Sequence, residues 1–138
     1  MERSLVLVKP DAMERGLAGA IIGRLQGEGL RLTALRMLRM DKGLAERHYA
    51  VHKGKTFFND LVAYITSTPI VAAVFEGEGA VEKIRKLMGA TDPAKAAPGT
   101  IRKDYGLDLQ RNATHASDSP ENAEKEIGLF FKKNEIFG

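Results

Sequence analysis

The chain contains no cysteine among its 138 residues. That excludes a disulfide framework and any thiolate metal site, and it permits a cytoplasmic setting, which is the expected one. No stretch approaches the roughly 20 consecutive apolar residues that a membrane-spanning helix needs, so no membrane partner is expected. Met1-Glu2-Arg3-Ser4 leads straight into a strand-like run instead of a secretory signal. There is no Gly-x-x-x-x-Gly-Lys-Ser/Thr, no Gly-x-Gly-x-x-Gly and no internal repeat. Any phosphate would have to be held by side chains, not by a glycine cradle. Charge of one sign is also scarce: 21 Lys and Arg face 18 Asp and Glu, a net +3. That is too mild to require nucleic acid or an anionic membrane, though converging basic side chains would suit a polyanionic nucleotide.

What is present describes one domain over residues 1–138, with an ordinary 43% apolar content. Leu5 to Val8 is an apolar, β-branched run stopped by Pro10, which reads as a buried strand with Lys9 at its C-terminal edge. Leu17, Ile21 and Leu25 mark a helix; Leu30 to Ala34 alternates and Leu35 to Met40 fits either period, a long strand with an irregularity being favoured. Helices are expected at Leu44 to Ala50 and along Phe58, Leu61, Val62 and Ile65. Pro69 to Phe75 is the clearest central strand, followed by a helix carrying Val81, Ile84, Leu87 and Met88 that ends at Gly89. Ala90 to Arg111 has little regular pattern. Segments of that length are uncommon unless functional or disordered, and Ile101, Tyr105, Leu107 and Leu109 give it apolar material to pack, so an ordered functional loop is expected. Strands and helices alternate, which by itself leaves parallel and antiparallel sheets open.

The chemistry concentrates in Arg111-Asn112-Ala113-Thr114-His115-Ala116-Ser117-Asp118-Ser119-Pro120. Ser119-Pro120-Glu121 reads as a helix start, with a hydroxyl cap, proline at the first position and an acid in the first turn. His115 is therefore expected at the end of a short extended segment just before a helix. A lone histidine near a turn is more often structural, but an imidazole fixed there can serve as a nucleophile. In the following helix Ala123, Ile127 and Phe130 form an inward stripe, and Glu126 falls on its flank. A carboxylate on an apolar face is costly unless paired, and His115 is the expected partner. Such a carboxylate would fix the imidazole tautomer and stabilise its charged form. The plainer alternative is a flank glutamate tilted into water.

His48 and His52 stand four apart, a spacing that could place two imidazoles on one helical face. No third ligand of the right kind lies near in sequence, so solvated helix-end histidines are the expectation and no protein metal site is assigned.

Asn112-x-x-His115-Ala116-Ser117-Asp118 resembles the active-site signature of nucleoside diphosphate kinases. Leu5-Val6-Leu7-Val8-Lys9-Pro10-Asp11-Ala12 is similar to that family's opening strand. Gly89-Ala90-Thr91-Asp92-Pro93 with Pro98-Gly99-Thr100-Ile101-Arg102 is similar to its long nucleotide-site loop. The match runs nearly end to end in the same order. It implies ping-pong transfer of a γ-phosphoryl group from a nucleoside triphosphate to a diphosphate, with His115 as the temporary carrier. By the same resemblance Lys9, Arg85, Thr91 and Arg102 would grip phosphates, Asn112 the sugar and its neighbourhood, and Phe57 the base. Tyr49 and Ser117 would support, and Glu126 would orient His115. Mg²⁺ would bridge the phosphates, held by nucleotide and water with Asp118 nearby. The implied fold is a ferredoxin-like α/β (α+β) sandwich, a four-stranded antiparallel sheet with helices against one face. The implied partners are nucleoside di- and triphosphates and further copies of the chain, a hexamer ahead of a tetramer. Val51, Thr56 and Lys103 depart from the family pattern, which commonly has an acid, a proline and a glycine there; none is assigned to chemistry.

Two other classes fit the residues less fully. A non-catalytic nucleotide-sensing module would bind ATP without forming a phosphoenzyme. A nucleic-acid-binding protein would use the basic residues along a groove, with steeply salt-dependent affinity.

Overall fold

The first strand explains the architecture. In the computed structural model, which describes residues Met1–Gly138, β1 (Glu2–Val8) is buried without interruption from Ser4 to Val8. An unbroken apolar strand demands cover on both faces. Leu5 and Leu7 point to one cluster and Val6 and Val8 to another, each cluster containing 14 buried residues.

The sheet has four strands in the order β2-β3-β1-β4, with β2 at Arg31–Leu38, β3 at Ile70–Gly77 and β4 at Thr114–Ala116. Every pairing is antiparallel. This is the ferredoxin-like arrangement. The expected irregularity in the second strand is a register shift between Leu32 and Ala34.

Helices cover both faces, not the one face expected. The Leu5/Leu7 side packs α3 (Lys42–His48), α4 (Phe58–Ile65) and α7 (Pro120–Phe130). The Val6/Val8 side packs α1 (Pro10–Glu14), α2 (Ala18–Gly27), α5 (Ala80–Met88) and α6 (Ile101–Tyr105). Two-sided burial follows from the central strands themselves, because Ala72, Ala73, Val74 and Phe75 of β3 are all fully buried.

The long loop is ordered, as expected, but through only Ile101 and Tyr105 of its four expected apolar residues. Ile101 is buried on α6, whereas Leu107 and Leu109 are exposed. Its path turns at Gly89, whose φ of +84 favours glycine and whose added Cβ would lie 2.6 Å from Thr100 Oγ1. Thr100 caps α6, and the Gly89 carbonyl accepts a hydrogen bond from Arg102 Nη1 at 3.1 Å. Gly89→Ala is expected to destabilise the chain by about 2 kcal/mol or more through strain and overlap together. Urea unfolding measures this; a neutral substitution would contradict the close approach.

Candidate active site

Strand parity assembles the site. Leu5 and Leu7 face the cluster beneath α3, α4 and α7, and Lys9, extended at φ −79 and ψ 164, continues that alternation. On β4, His115 pairs with Leu7, while Thr114 and Ala116 face the opposite cluster. Thr114 donates to Met88 Sδ on that far side. His115 and Lys9 therefore emerge on the face that also carries α7.

α7 begins where its sequence says. Ser119 Oγ accepts from Asn122 N at 3.1 Å and Pro120 takes the first helical position. One turn and a half later, Glu126 Oε1 sits 3.1 Å from His115 Nε2 and accepts the Ser117 hydroxyl at 2.7 Å. Ser117 is fully buried and its oxygen accepts from Leu5 N at 3.1 Å. Burial alone would raise the Glu126 carboxyl; the hydrogen bond and charge of His115, with the Ser117 hydroxyl, hold it below the usual carboxylate value. An ionised Glu126 fixes the Nε2–H tautomer and leaves the Nδ1 lone pair free.

Entry to β4 is constrained. Ala113 has φ +73, a left-handed conformation that costs a non-glycine residue about 1 kcal/mol or more. Its N–H is held by Asp11 Oδ2 at 3.0 Å and its carbonyl by Lys9 N at 2.9 Å. Asp11 also accepts from the Tyr64 hydroxyl and pairs with Arg15 at 3.3 Å.

A cleft of about 1060 Å³ opens over these groups and is lined by nine of the ten residues singled out from the sequence; Ser117 lies buried behind Glu126. Lys9 Nζ donates to Asn112 Oδ1 at 2.9 Å and to the Gln110 carbonyl at 2.7 Å. Burial, with Arg102 nearby, pushes the Lys9 ammonium down to about 8 despite Asp11. Arg102 donates to the Gly89 and Thr114 carbonyls, yet its Nε has no partner. Burial and the Arg85 charge lower Arg102 to about 10. Arg85 is exposed in the cleft and makes no ion pair within the chain. Three cations that are desolvated or crowded, with no carboxylate neutralising Arg85 or Arg102, form a potential that a polyphosphate would relieve.

The remaining residues differ in how free they are. Both ends of the Asn112 amide are engaged, Nδ2 donating to the Thr91 and Leu109 carbonyls, so this side chain braces Lys9 and the loop. Thr91 is exposed at the cleft. The Tyr49 hydroxyl is pushed up to about 12 by burial and by Glu126. Phe57 is 44% exposed at the mouth, with Lys55 Nζ 5.7 Å above its ring.

His48 corrects an expectation. It is only 9% exposed, not solvated, and its ring meets His115 edge-on at 4.6 Å between centroids. It stands three residues after buried Ala45, so the helical stripe of α3 places it inward, a signal the His48/His52 spacing obscured. His52, by contrast, is partly exposed. Asp11 and Tyr64 were likewise given no role from sequence, since their effect passes through backbone at Ala113.

Burial, with the nearby charges of His115, Lys9 and His52 outweighing Glu126, pushes His48 down to about 3. Its folded value lies below the unfolded one, so the unfolded chain gains a proton first and stability falls as pH drops below about 6.5. Between pH 6.5 and pH 5 this residue should cost about 2 kcal/mol. His48→Phe should flatten the pH dependence of urea unfolding by that amount in that window; an unchanged slope would contradict the buried neutral imidazole.

Comparison with known proteins identifies the family. The family model described as nucleoside diphosphate kinase matches residues 2–136. A nucleoside diphosphate kinase of Dehalococcoides mccartyi is 61% identical over 136 residues, covering 99% of this chain and 96% of that protein. One from Chloroflexus aurantiacus is 56% identical over 139 residues, covering 100% of this chain and 92% of that protein. The solved structure of a halophilic nucleoside diphosphate kinase from Halobacterium salinarum, in complex with CDP, superposes with a TM-score of 0.96 at 49% identity, covering 99% of this chain and 91% of that one. That of the Aquifex aeolicus enzyme gives 0.95 at 46% identity, covering 98% of both. The chain belongs to the nucleoside diphosphate kinase family, enzymes that move the γ-phosphoryl group of a nucleoside triphosphate to a nucleoside diphosphate through a phosphohistidine.

Proposed function

We propose that His115 is the phosphoryl carrier of this kinase and that one cleft serves both substrates in turn. The observation behind this is the pairing of His115 Nε2 with Glu126 Oε1 at 3.1 Å beneath a cleft of uncompensated cations. With Nε2–H given to Glu126, the Nδ1 lone pair attacks the γ-phosphorus. The bond to the β–γ bridging oxygen breaks and the diphosphate leaves with that electron pair. The ring is then cationic, and the ionised Glu126 stabilises it through Nε2–H. A second diphosphate enters, its terminal oxygen attacks the phosphorus, and the N–P bond returns its pair to Nδ1.

Such a transfer asks for alignment and charge neutralisation. Arg85 and Arg102 would take the phosphates, with Lys9 beside them and Thr91 at the rim. Asn112 would act first by holding Lys9 and the loop, with its remaining acceptor capacity towards the sugar. Tyr49 would present its hydroxyl as a neutral donor, and Ser117 would hold Glu126. Phe57 offers a face to any base, since stacking is sequence-tolerant. The cytidine nucleotide bound by the Halobacterium salinarum relative supports a nucleotide in this cleft.

Mg²⁺ fits as a companion of the nucleotide. The one clustered donor set, His48, His115 and Glu126, is nitrogen-rich, whereas Mg²⁺ prefers oxygen ligands and keeps water; Asp118, exposed at the cleft, could reach it through water. Bound there, the ion would supply charge neutralisation between phosphates. Exposed Leu35 and Met37 on the open edge of β2, at 54% and 65%, support a homo-oligomer; the family resemblance puts a hexamer ahead of a tetramer. No helix is long and apolar enough to cross a membrane, and the chain lacks cysteine, which suits a cytoplasmic setting.

Incubation with ATP and Mg²⁺ should give one acid-labile, alkali-stable phosphoryl group per chain by intact mass, absent in His115→Ala and removed by GDP. Unmodified protein would point to a nucleotide sensor or, if binding falls steeply with salt, to a nucleic-acid binder. Glu126→Gln should lower kcat on the order of 10²-fold with little change in KM, because the carboxylate acts on the charged transition state. A change confined to KM would contradict that role.

A further inference from the structure

Phosphoryl transfer uses His115 and Glu126 but asks nothing of the nitrogens of His48, wedged against the His115 ring. A neutral imidazole has one N–H donor and one lone-pair acceptor. Both His48 nitrogens are buried without a hydrogen-bond partner. Its ring contacts are edge-on packing against Tyr49, His115 and Phe130, at centroid distances of 4.7, 4.6 and 5.7 Å. A phenylalanine would make the same contacts without two unsatisfied polar atoms. Buried polar atoms are nearly always paired, and exceptions often mark an ion or a functional role.

The neighbours supply what such an ion needs. One donor atom each from His48, His115 and Glu126 lie within 4.8 Å of one another. Two imidazoles and one carboxylate are the three protein ligands of open zinc sites, where water takes the fourth position. All three residues line the nucleotide cleft, which gives an ion access and room for that water. The donor set also discriminates. Imidazole suits Zn²⁺ and its borderline neighbours, whereas Mg²⁺ demands octahedral oxygen, so the nucleotide's own ion would not compete.

We propose that His48, His115 and Glu126 form a three-ligand inhibitory site for a borderline divalent transition-metal ion, Zn²⁺ above all. The inference rests on His115 being the phosphoryl carrier. As the ion enters, Glu126 exchanges its hydrogen bond for coordination and His115 Nε2 gives its lone pair to the metal. The proton formerly on Nε2 moves to Nδ1. The nitrogen that attacks phosphorus thereby loses its free electron pair, and nothing is oxidised or reduced. Bound Zn²⁺ holds the enzyme unphosphorylated until the metal is withdrawn.

Calorimetric titration of the chelator-treated, nucleotide-free full chain with Zn²⁺ tests this directly. One ion per chain is expected. Affinity should fall at least tenfold in His48→Phe and in His48→Gln, both checked for folding by circular dichroism, and should persist in His52→Ala. Zn²⁺ should also cut the ATP-dependent labelling of His115, with a zinc-selective chelator restoring it. Absence of binding, or binding that is lost in His52→Ala and kept in His48→Phe, would overturn the site. If Zn²⁺ fails to bind while ATP still labels His115, the metal inference alone is wrong. If metal-free protein takes no phosphoryl group, the kinase assignment of His115 fails, and the titration still decides whether the three ligands bind metal.

Discussion

One carboxylate oxygen organises the active face: Glu126 Oε1 receives the Nε2–H of His115 and the hydroxyl of Ser117 together. The first contact sets the tautomer of the imidazole, and the second ties the carboxylate to the sheet through Leu5. Neither would form if β4 slipped by one residue, because His115 would then turn to the Val6/Val8 side. The register is fixed from both ends, by Asp11 and Lys9 holding Ala113 before the strand and by the Ser119 cap starting α7 beyond it. Precision at the ring is thus a property of backbone placement, as a positioned nucleophile requires.

Phosphate recognition in the proposed cleft would follow a different physical route from a glycine-rich loop. Lys9, Arg85 and Arg102 are brought together from the end of β1, from α5 and from the long loop. Burial and mutual repulsion lower Lys9 and Arg102, and the two hydrogen bonds of the Arg102 guanidinium go to backbone carbonyls, not carboxylates. A site built on charge, with one aromatic face at its mouth, would recognise phosphates more than base identity. That would suit an enzyme whose donor and acceptor enter the same cleft.

Much of this was legible in the chain because the decisive signals are local. The strand at Leu5 to Val8, the strand ending at Phe75, the helix stopped by Gly89 and the Ser119-Pro120 start all carry their own punctuation. The antiparallel four-stranded sheet with helices on it came from the family resemblance. What the sequence left obscure depends on long-range packing. Helices on both faces follow from β3 being buried on both sides, which periodicity in the flanking helices does not reveal. The short α1 and α6 are too brief to show a stripe. His48 looked solvated because its distance to His52 drew the eye from its distance to Ala45. Leu107 and Leu109, expected to pack inward with Ile101, lie exposed, and the loop is held by Ile101 and by hydrogen bonds of Asn112.

Which nitrogen of His115 is free decides how the ring can carry phosphorus. Phosphorus–nitrogen coupling in the ¹⁵N-histidine-labelled, ATP-treated protein reads that directly. Phosphorus on Nδ1, with Nε2 still protonated towards Glu126, is the predicted result; phosphorus on Nε2 would contradict it.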